Sequence, residues 1–279
     1  MKIDIENQWV MITGGSSGIG LALAKLFARE KANVVIIARR VEVIKQALEE
    51  IKASRSSDEQ QVEGIVCDVA NEDSIHKAIT DYSQIHGTPF ILINSAGITY
   101  PGEFHNLASA TFRSMMDVNF FGTVYAIQAV INGMIARGTG HIVNISSMAG
   151  VIGTYGYSAY GASKYAIRGL SDVIRAEYKL KGIKVHVVYP PDTDTPQLEF
   201  ESKIKPAITA ELSANSGLMQ PEQVAEIIWK DMNRGRYTIL PGFNSWFLYN
   251  LSNLLGDLTY PVMDMMIQDA IKSIHKKKK

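Results

Sequence analysis

From Trp9 onward, short runs of aliphatic and β-branched residues alternate with longer stretches in which apolar positions recur every three or four residues. The short runs predict strands near Val10–Thr13, Val34–Ala38, Gly64–Asp68, Ile91–Asn94, His141–Ser146, Lys184–Tyr189 and Tyr237–Leu240. The longer stretches predict helices near Ile19–Glu30, Val41–Ala53, Glu72–His86, Ala110–Arg137, Ala159–Lys181 and Pro221–Arg234. Strands that read as almost continuous apolar runs are buried on both faces, and strands separated by helices are joined as βαβ units. The expected fold class is α/β, a doubly wound parallel sheet of about seven strands with helices on both faces. The polar stretch Ser54–Gln61 carries no apolar period and reads as a loop rather than a domain boundary.

After Leu240 the pattern changes. Trp246, Phe247, Leu248, Leu254, Leu255, Met263, Met265 and Met266 crowd a short region, and Lys276 to Lys279 follow it. Asn250, Asn253, Asp257, Pro261 and Asp264 interrupt this segment, so it lacks the ~20 mostly apolar residues of a spanning helix. Two uses remain open: an interfacial segment lying on a membrane, or a cover for the protein core or for a partner copy. The chain thus divides into a sheet domain, residues 1–240, and a C-terminal apolar segment with a basic tail, residues 241–279.

Composition narrows the setting. The 279 residues are 46% hydrophobic and 20% charged, an ordinary globular balance. Basic and acidic side chains number 28 each, so no net charge recruits nucleic acid. The single cysteine, Cys67, excludes an internal disulfide, and Met1 to Gln8 show no leader pattern, so a cytoplasmic location is expected.

Candidate chemistry begins at Thr13-Gly14-Gly15-Ser16-Ser17-Gly18-Ile19-Gly20, between the first strand and the first helix. A glycine-rich turn at that junction presents backbone N–H groups to a pyrophosphate. Gly14 suits a tight turn, Gly18 a close approach of phosphate, and Gly20 close packing of helix on sheet. The second strand ends Ile37-Ala38-Arg39-Arg40, where an NAD site would place an acidic residue for the ribose hydroxyls. Arg39 instead suits a 2′-phosphate through charge-assisted bonds, which favours NADP(H). Cys67-Asp68-Val69 and Asn94-Ser95-Ala96-Gly97 close the third and fourth strands at the ends that line a ligand crevice.

Tyr160 and Lys164 lie four residues apart on one predicted helix and share a face. Ser147 ends the fifth predicted strand, and Asn119 lies in the long helix before it. A phenol of ordinary pKa near ~10 becomes a useful proton shuttle when an ammonium stabilises its phenolate, and Lys164 supplies that ammonium. Tyr160 would then protonate a carbonyl oxygen as hydride reaches the carbon, with the Ser147 hydroxyl orienting the same oxygen. Taken singly, each residue has a plainer use: Ser147 as a helix cap, Asn119 as a polar group at a kink, Tyr160 as a packing residue.

Together, TGGSSGIG, CDV, NSAG, the Asn119 segment, SSMAG and Tyr160-Gly161-Ala162-Ser163-Lys164 resemble the successive motifs of the short-chain dehydrogenase/reductase family, over roughly residues 8 to 240. The resemblance implies a Rossmann-type NAD(P)-dependent oxidoreductase. It implies that Gly14, Ser16, Ser17, Gly18, Ile19 and Gly20 form the cofactor turn, that Asp68 and Val69 meet adenine, and that Asn94 and Gly97 line the adenosine and phosphate region. Asn119 would hold a proton-relay water, and Tyr160 and Lys164 would also touch the nicotinamide ribose. Where most members carry Pro-Gly, this chain reads Tyr189-Pro190-Pro191-Asp192-Thr193-Asp194-Thr195-Pro196. That run resembles the branch of the family that reduces the long-chain 3-keto amine 3-ketodihydrosphingosine, and places Pro190, Thr193 and Thr195 beside the nicotinamide. Another lipophilic carbonyl, such as a steroid or retinoid, and a non-catalytic NADP(H) sensor are the alternatives. The family resemblance also implies a homodimer or homotetramer.

Overall fold

The computed structural model describes residues 2–214 and 217–277. In chain order the elements are β1 (Trp9–Thr13), α1 (Gly18–Arg29), β2 (Asn33–Ala38), α2 (Val41–Ala53), β3 (Val62–Val66), α3 (Glu72–His86), β4 (Ile91–Asn94), α4 (Ser109–Met115), α5 (Gly122–Arg137), β5 (Gly140–Ile145), α6 (Ser158–Tyr178), β6 (Ile183–Val188), α7 (Pro196–Ser202), α8 (Ala207–Ser213), α9 (Pro221–Asn233), β7 (Thr238–Ile239), α10 (Gly242–Leu255) and α11 (Thr259–Lys277). The strands form one seven-stranded sheet in the order β3-β2-β1-β4-β5-β6-β7. Every pairing is parallel. This is the Rossmann-like doubly wound topology that the apolar strand runs predict. The strand order reverses between β1 and β4, which opens a crevice beyond their carboxyl ends.

Each sheet face carries its own core. On one, Leu23, Phe27, Ile228 and Trp229 from α1 and α9 pack on Val10, Ile12 and Val34. On the other, Ile75, Ile79, Val130 and Ile174 from α3, α5 and α6 pack on Met11, Val35 and Leu92. Burying each such side chain contributes about 1.5–3 kcal/mol, so the sheet is a rigid platform for whatever its loops carry.

One expected element is interrupted. The stretch read as a continuous helix from Ala110 to Arg137 contains a π-helical segment at Met116–Phe121 between α4 and α5. Thr123 Oγ1 donates to the Asn119 carbonyl at 2.8 Å, the kind of side-chain bond that loosens a regular ladder, and the wider turn leaves Asn119 fully buried. Four helices lay outside the sequence expectation: α7, α8, α10 and α11. The first had a readable signal, since Thr195 caps α7 by accepting from Leu198 N and Pro196 occupies its first turn. The segment after Leu240 folds into α10 and α11, and α11 docks on α8 through Ser273 and Lys277, which reach Glu211 at 2.6 and 2.7 Å. Lys278 and Lys279 of the basic tail lie outside the described residues. Among the described residues only Ser109–Arg137 is long and apolar enough to cross a membrane, and it packs on the sheet.

Candidate active site

The turn after β1 is built around backbone that only glycine fits. Gly14 has φ +68°, and a Cβ there would lie 2.7 Å from the Ala96 backbone. A Cβ on Gly20 would meet the Gly14 carbonyl oxygen at 2.3 Å, so Gly20 seats α1 against the turn rather than facing the cleft. Gly18 also has positive φ and lies against Thr195. Ser17 precedes α1 without capping it, leaving the first N–H groups of that helix for an anion. Gly14, Ser16, Ser17, Gly18, Ile19, Arg39, Val69, Gly97, Ser147, Tyr160, Lys164, Pro190, Thr193 and Thr195 line one continuous cleft of about 650 Å³.

Three expected cofactor residues stand apart from that wall. Gly20 is beneath the turn. The Asn94 side chain points into the sheet, where Nδ2 donates to Asn144 Oδ1 at 2.9 Å and Asn144 continues to Ser171. Asp68 accepts from Ala70 N at 3.1 Å and lies 3.7 Å from the Arg39 guanidinium. More than half of the Arg39 side chain is exposed, so this ion pair is weak and leaves the guanidinium able to turn to a phosphate.

The reacting groups converge at the other end. Burial pushes the Tyr160 phenol well above its ordinary pKa and the Glu201 charge adds to the effect, while hydrogen bonds from Ser147 and Gln197 oppose it. Lys164 Nζ donates to the Ile145 carbonyl at 2.9 Å and lies 5.6 Å from the Tyr160 ring centre. Burial lowers its pKa to about 8. Ser147 Oγ accepts from Ala149 N at 3.2 Å, so the capping use and an orienting use coexist in one hydroxyl.

Asn119 is a clamp. Its Nδ2 donates to the Ile98 carbonyl at 3.0 Å and to Ser163 Oγ at 2.9 Å, while its Oδ1 accepts from Ile98 N at 2.8 Å. Both amide donors are committed, and a Cβ on Gly97 would lie 3.3 Å from the Asn119 side chain and 3.6 Å from Lys164 Nζ. Asn119 thus fixes the strand end beside Lys164.

The sequence reading missed the far wall. Gln197 and Glu201 from α7, Leu248 from α10, and Met263 and Met266 from α11 all line the same cleft. Only the Thr195-Pro196 helix start gave notice of the first two.

A protonatable phenol, an ammonium beside it, a serine hydroxyl and a glycine turn share one cleft at the switch point of a parallel sheet, an arrangement suited to dinucleotide-dependent carbonyl chemistry. The sequence profile of the short chain dehydrogenase family matches residues 8–204, and the chain belongs to that family of NAD(P)(H)-dependent oxidoreductases. It is similar to a 3-dehydrosphinganine reductase of Danio rerio, 40% identical over 92% of this chain and 78% of the relative. It is also similar to a 3-ketodihydrosphingosine reductase of Mus musculus, 37% identical over 90% of this chain and 76% of the relative. The crystal structure of levodione reductase shares the fold, with a TM-score of 0.79 and 24% identity over 87% of this chain and 99% of that one.

Proposed function

We propose that this reductase converts 3-ketodihydrosphingosine to dihydrosphingosine with NADPH. The observation that carries the reading is the cleft itself, which runs from Tyr160 to an apolar wall of Leu248, Met263 and Met266. A long alkyl chain needs such a wall, and the sphingoid-base reductases among the relatives act on a substrate of that kind.

The chemistry a bound dinucleotide brings is hydride delivery to the carbonyl carbon. The glycine turn and the first N–H groups of α1 would hold its pyrophosphate, and Arg39 its 2′-phosphate. Ser147 Oγ–H orients the substrate carbonyl oxygen, and Tyr160 Oη gives that oxygen its proton. Lys164 sits where its ammonium stabilises the phenolate left behind. Incubating purified protein with NADPH and 3-ketodihydrosphingosine, and following nicotinamide absorbance together with formation of the amino diol, tests the reading. Turnover of steroid or retinoid carbonyls in preference to the keto amine would overturn it, and binding of NADPH without turnover of any carbonyl would favour a sensor.

The cofactor choice has its own test. Arg39→Ala is expected to weaken NADPH binding by about 1.5–3 kcal/mol, the scale of a charged hydrogen bond, and to leave NADH binding unchanged. Equal weakening of both, measured by fluorescence titration, would make Arg39 structural.

The outer faces of α10 and α11 support attachment to a membrane surface from the cytoplasmic side. Phe243, Trp246, Leu254, Tyr260 and Met265 are all more than half exposed, while neighbouring residues on the same two helices line the cleft. A lipid substrate could pass from bilayer to cleft without crossing water. Full-length protein is expected to co-sediment with anionic liposomes at low salt, and Trp246→Asp together with Leu254→Asp to abolish this without loss of NADPH binding. Protein that stays in the supernatant would end the membrane reading and leave these faces to a partner copy. We assign self-association to α5, α6 and the turn before α5, which expose Val173 and Phe121.

A further inference from the structure

The wall beside Tyr160 is acidic. Glu201, at the end of α7, is almost fully buried yet lines the cleft. Its Oε2 accepts from the Tyr157 hydroxyl at 2.5 Å and lies 3.5 Å from Lys205 Nζ, which is itself buried and stands behind Glu201, outside the cleft wall. Its Oε1 is spent differently: among the described residues it takes only a long 3.4 Å contact from Gln197 Nε2. Gln197 also reaches the Tyr160 hydroxyl, so one amide links the proton donor to a carboxylate oxygen with acceptor capacity to spare.

A buried carboxylate oxygen with so poor a partner is costly unless a ligand completes it. A second observation points to a polar ligand head. Ser245 lines the same cleft and is fully buried, and its Oγ has no hydrogen-bond partner among the described residues. Asp192 lines the cleft as well, and its charge, like that of Glu201, acts on the Tyr160 phenol. Two carboxylates, Glu201 and Asp192, therefore line the cleft close enough to act on Tyr160, with Lys164 beside the phenol and Lys205 behind Glu201.

We propose that Glu201 Oε1 is the specificity determinant for an ammonium group on the carbon next to the reacting carbonyl. With the carbonyl oxygen between Tyr160 and Ser147, an α-ammonium falls within a hydrogen-bond length of that oxygen and so into the space now held by Gln197 Nε2. The ammonium replaces the long amide contact with a charge-assisted bond, and Lys205 and Tyr157 hold the opposite carboxylate oxygen in place. A ketone without the amine leaves Oε1 poorly partnered, and discrimination of this kind is large because the site bears the cost of its unpaired group. The inference rests on the substrate reading above and names how that substrate is told from other lipophilic ketones.

The test uses the full chain with NADPH and two ketones of equal chain length, a 1-hydroxy-2-amino-3-ketone and the same molecule lacking the amine. Wild type is expected to favour the amine in kcat/KM. Glu201→Gln removes a charge that acts on Tyr160 and so affects both ketones, but it is expected to lose about 10–100-fold more in kcat/KM on the amine than on the plain ketone, while Glu201→Asp keeps part of the preference. Equal losses on both ketones would reduce Glu201 to a support for Tyr157 and Lys205 and overturn the proposal. Should Glu201→Gln fail to fold, Glu201→Asp takes its place: dodecylammonium must inhibit plain-ketone reduction more strongly than dodecanol in wild type and lose part of that advantage in Glu201→Asp, and equal inhibition in wild type or an unchanged advantage in the variant overturns the proposal. Wild type that reduces the plain ketone but never the amine would sink the substrate reading of the previous section, and the dodecylammonium comparison between wild type and the Glu201 variant would still report on Glu201.

Discussion

Tyr160→Phe is expected to lower ketone reduction by about 10²–10⁴-fold while NADPH binding changes by less than about twofold. The substitution removes one oxygen from a half-buried ring and keeps its packing, including the contact with Tyr157 at 5.7 Å between ring centres. What it removes is the proton donor. Burial, with the Glu201 charge next, holds the phenol neutral in the resting site, the form a reduction needs, and Ser147 remains to orient the carbonyl. A single-turnover measurement with saturating NADPH separates this from a binding defect. Near-normal turnover would show that another group supplies the proton, and the roles given to Tyr160 and Ser147 would fall together.

Lys164→Met should be nearly as harmful, lowering turnover by about 10²-fold or more, because the developing phenolate then forms without a neighbouring positive charge. The pH profile carries the sharper signature. Burial lowers Lys164 to about 8, so its ammonium is present below that pH and lost as pH rises through it. The neutral amine still has N–H groups for the Ile145 carbonyl, so position is kept while charge is lost. Wild-type reduction should therefore decline above about pH 8, and Lys164→Met, already slow, should lack that limb. In the oxidative direction, where Tyr160 must act as phenolate, the variant should need more alkaline conditions than wild type. A falling limb that survives in Lys164→Met would assign it to another group and leave Lys164 as a holder of ribose.

The sheet was legible in the sequence because β1, β2, β4, β5 and β6 are buried on both faces, so their identity is written as local apolar runs, while the half-exposed edge strand β3 was placed two residues late. Observed strand ends differ from expectation by at most two residues. The glycine turn was legible for a related reason: Gly14 and Gly20 meet backbone at distances no side chain tolerates, so residue type alone marks the geometry. Tyr160, Lys164 and Ser147 could be placed because each sits at a strand end or on one helical face whose direction the fold fixes. The far wall had no such local code. Glu201 reads in sequence as one more acid in a polar stretch with a local lysine, Lys205, four residues on, and only the fold brings it the hydroxyl of Tyr157. Asn119 reads as a helix polar residue, and only the wide turn at Met116–Phe121 delivers its amide to Ile98 and Ser163. The apolar segment after Leu240 showed that something must cover it. That α10 and α11 would give Leu248, Met263 and Met266 to the same cleft as Tyr160 depends on contacts between segments far apart in the chain, and periodicity within one segment carries no record of them.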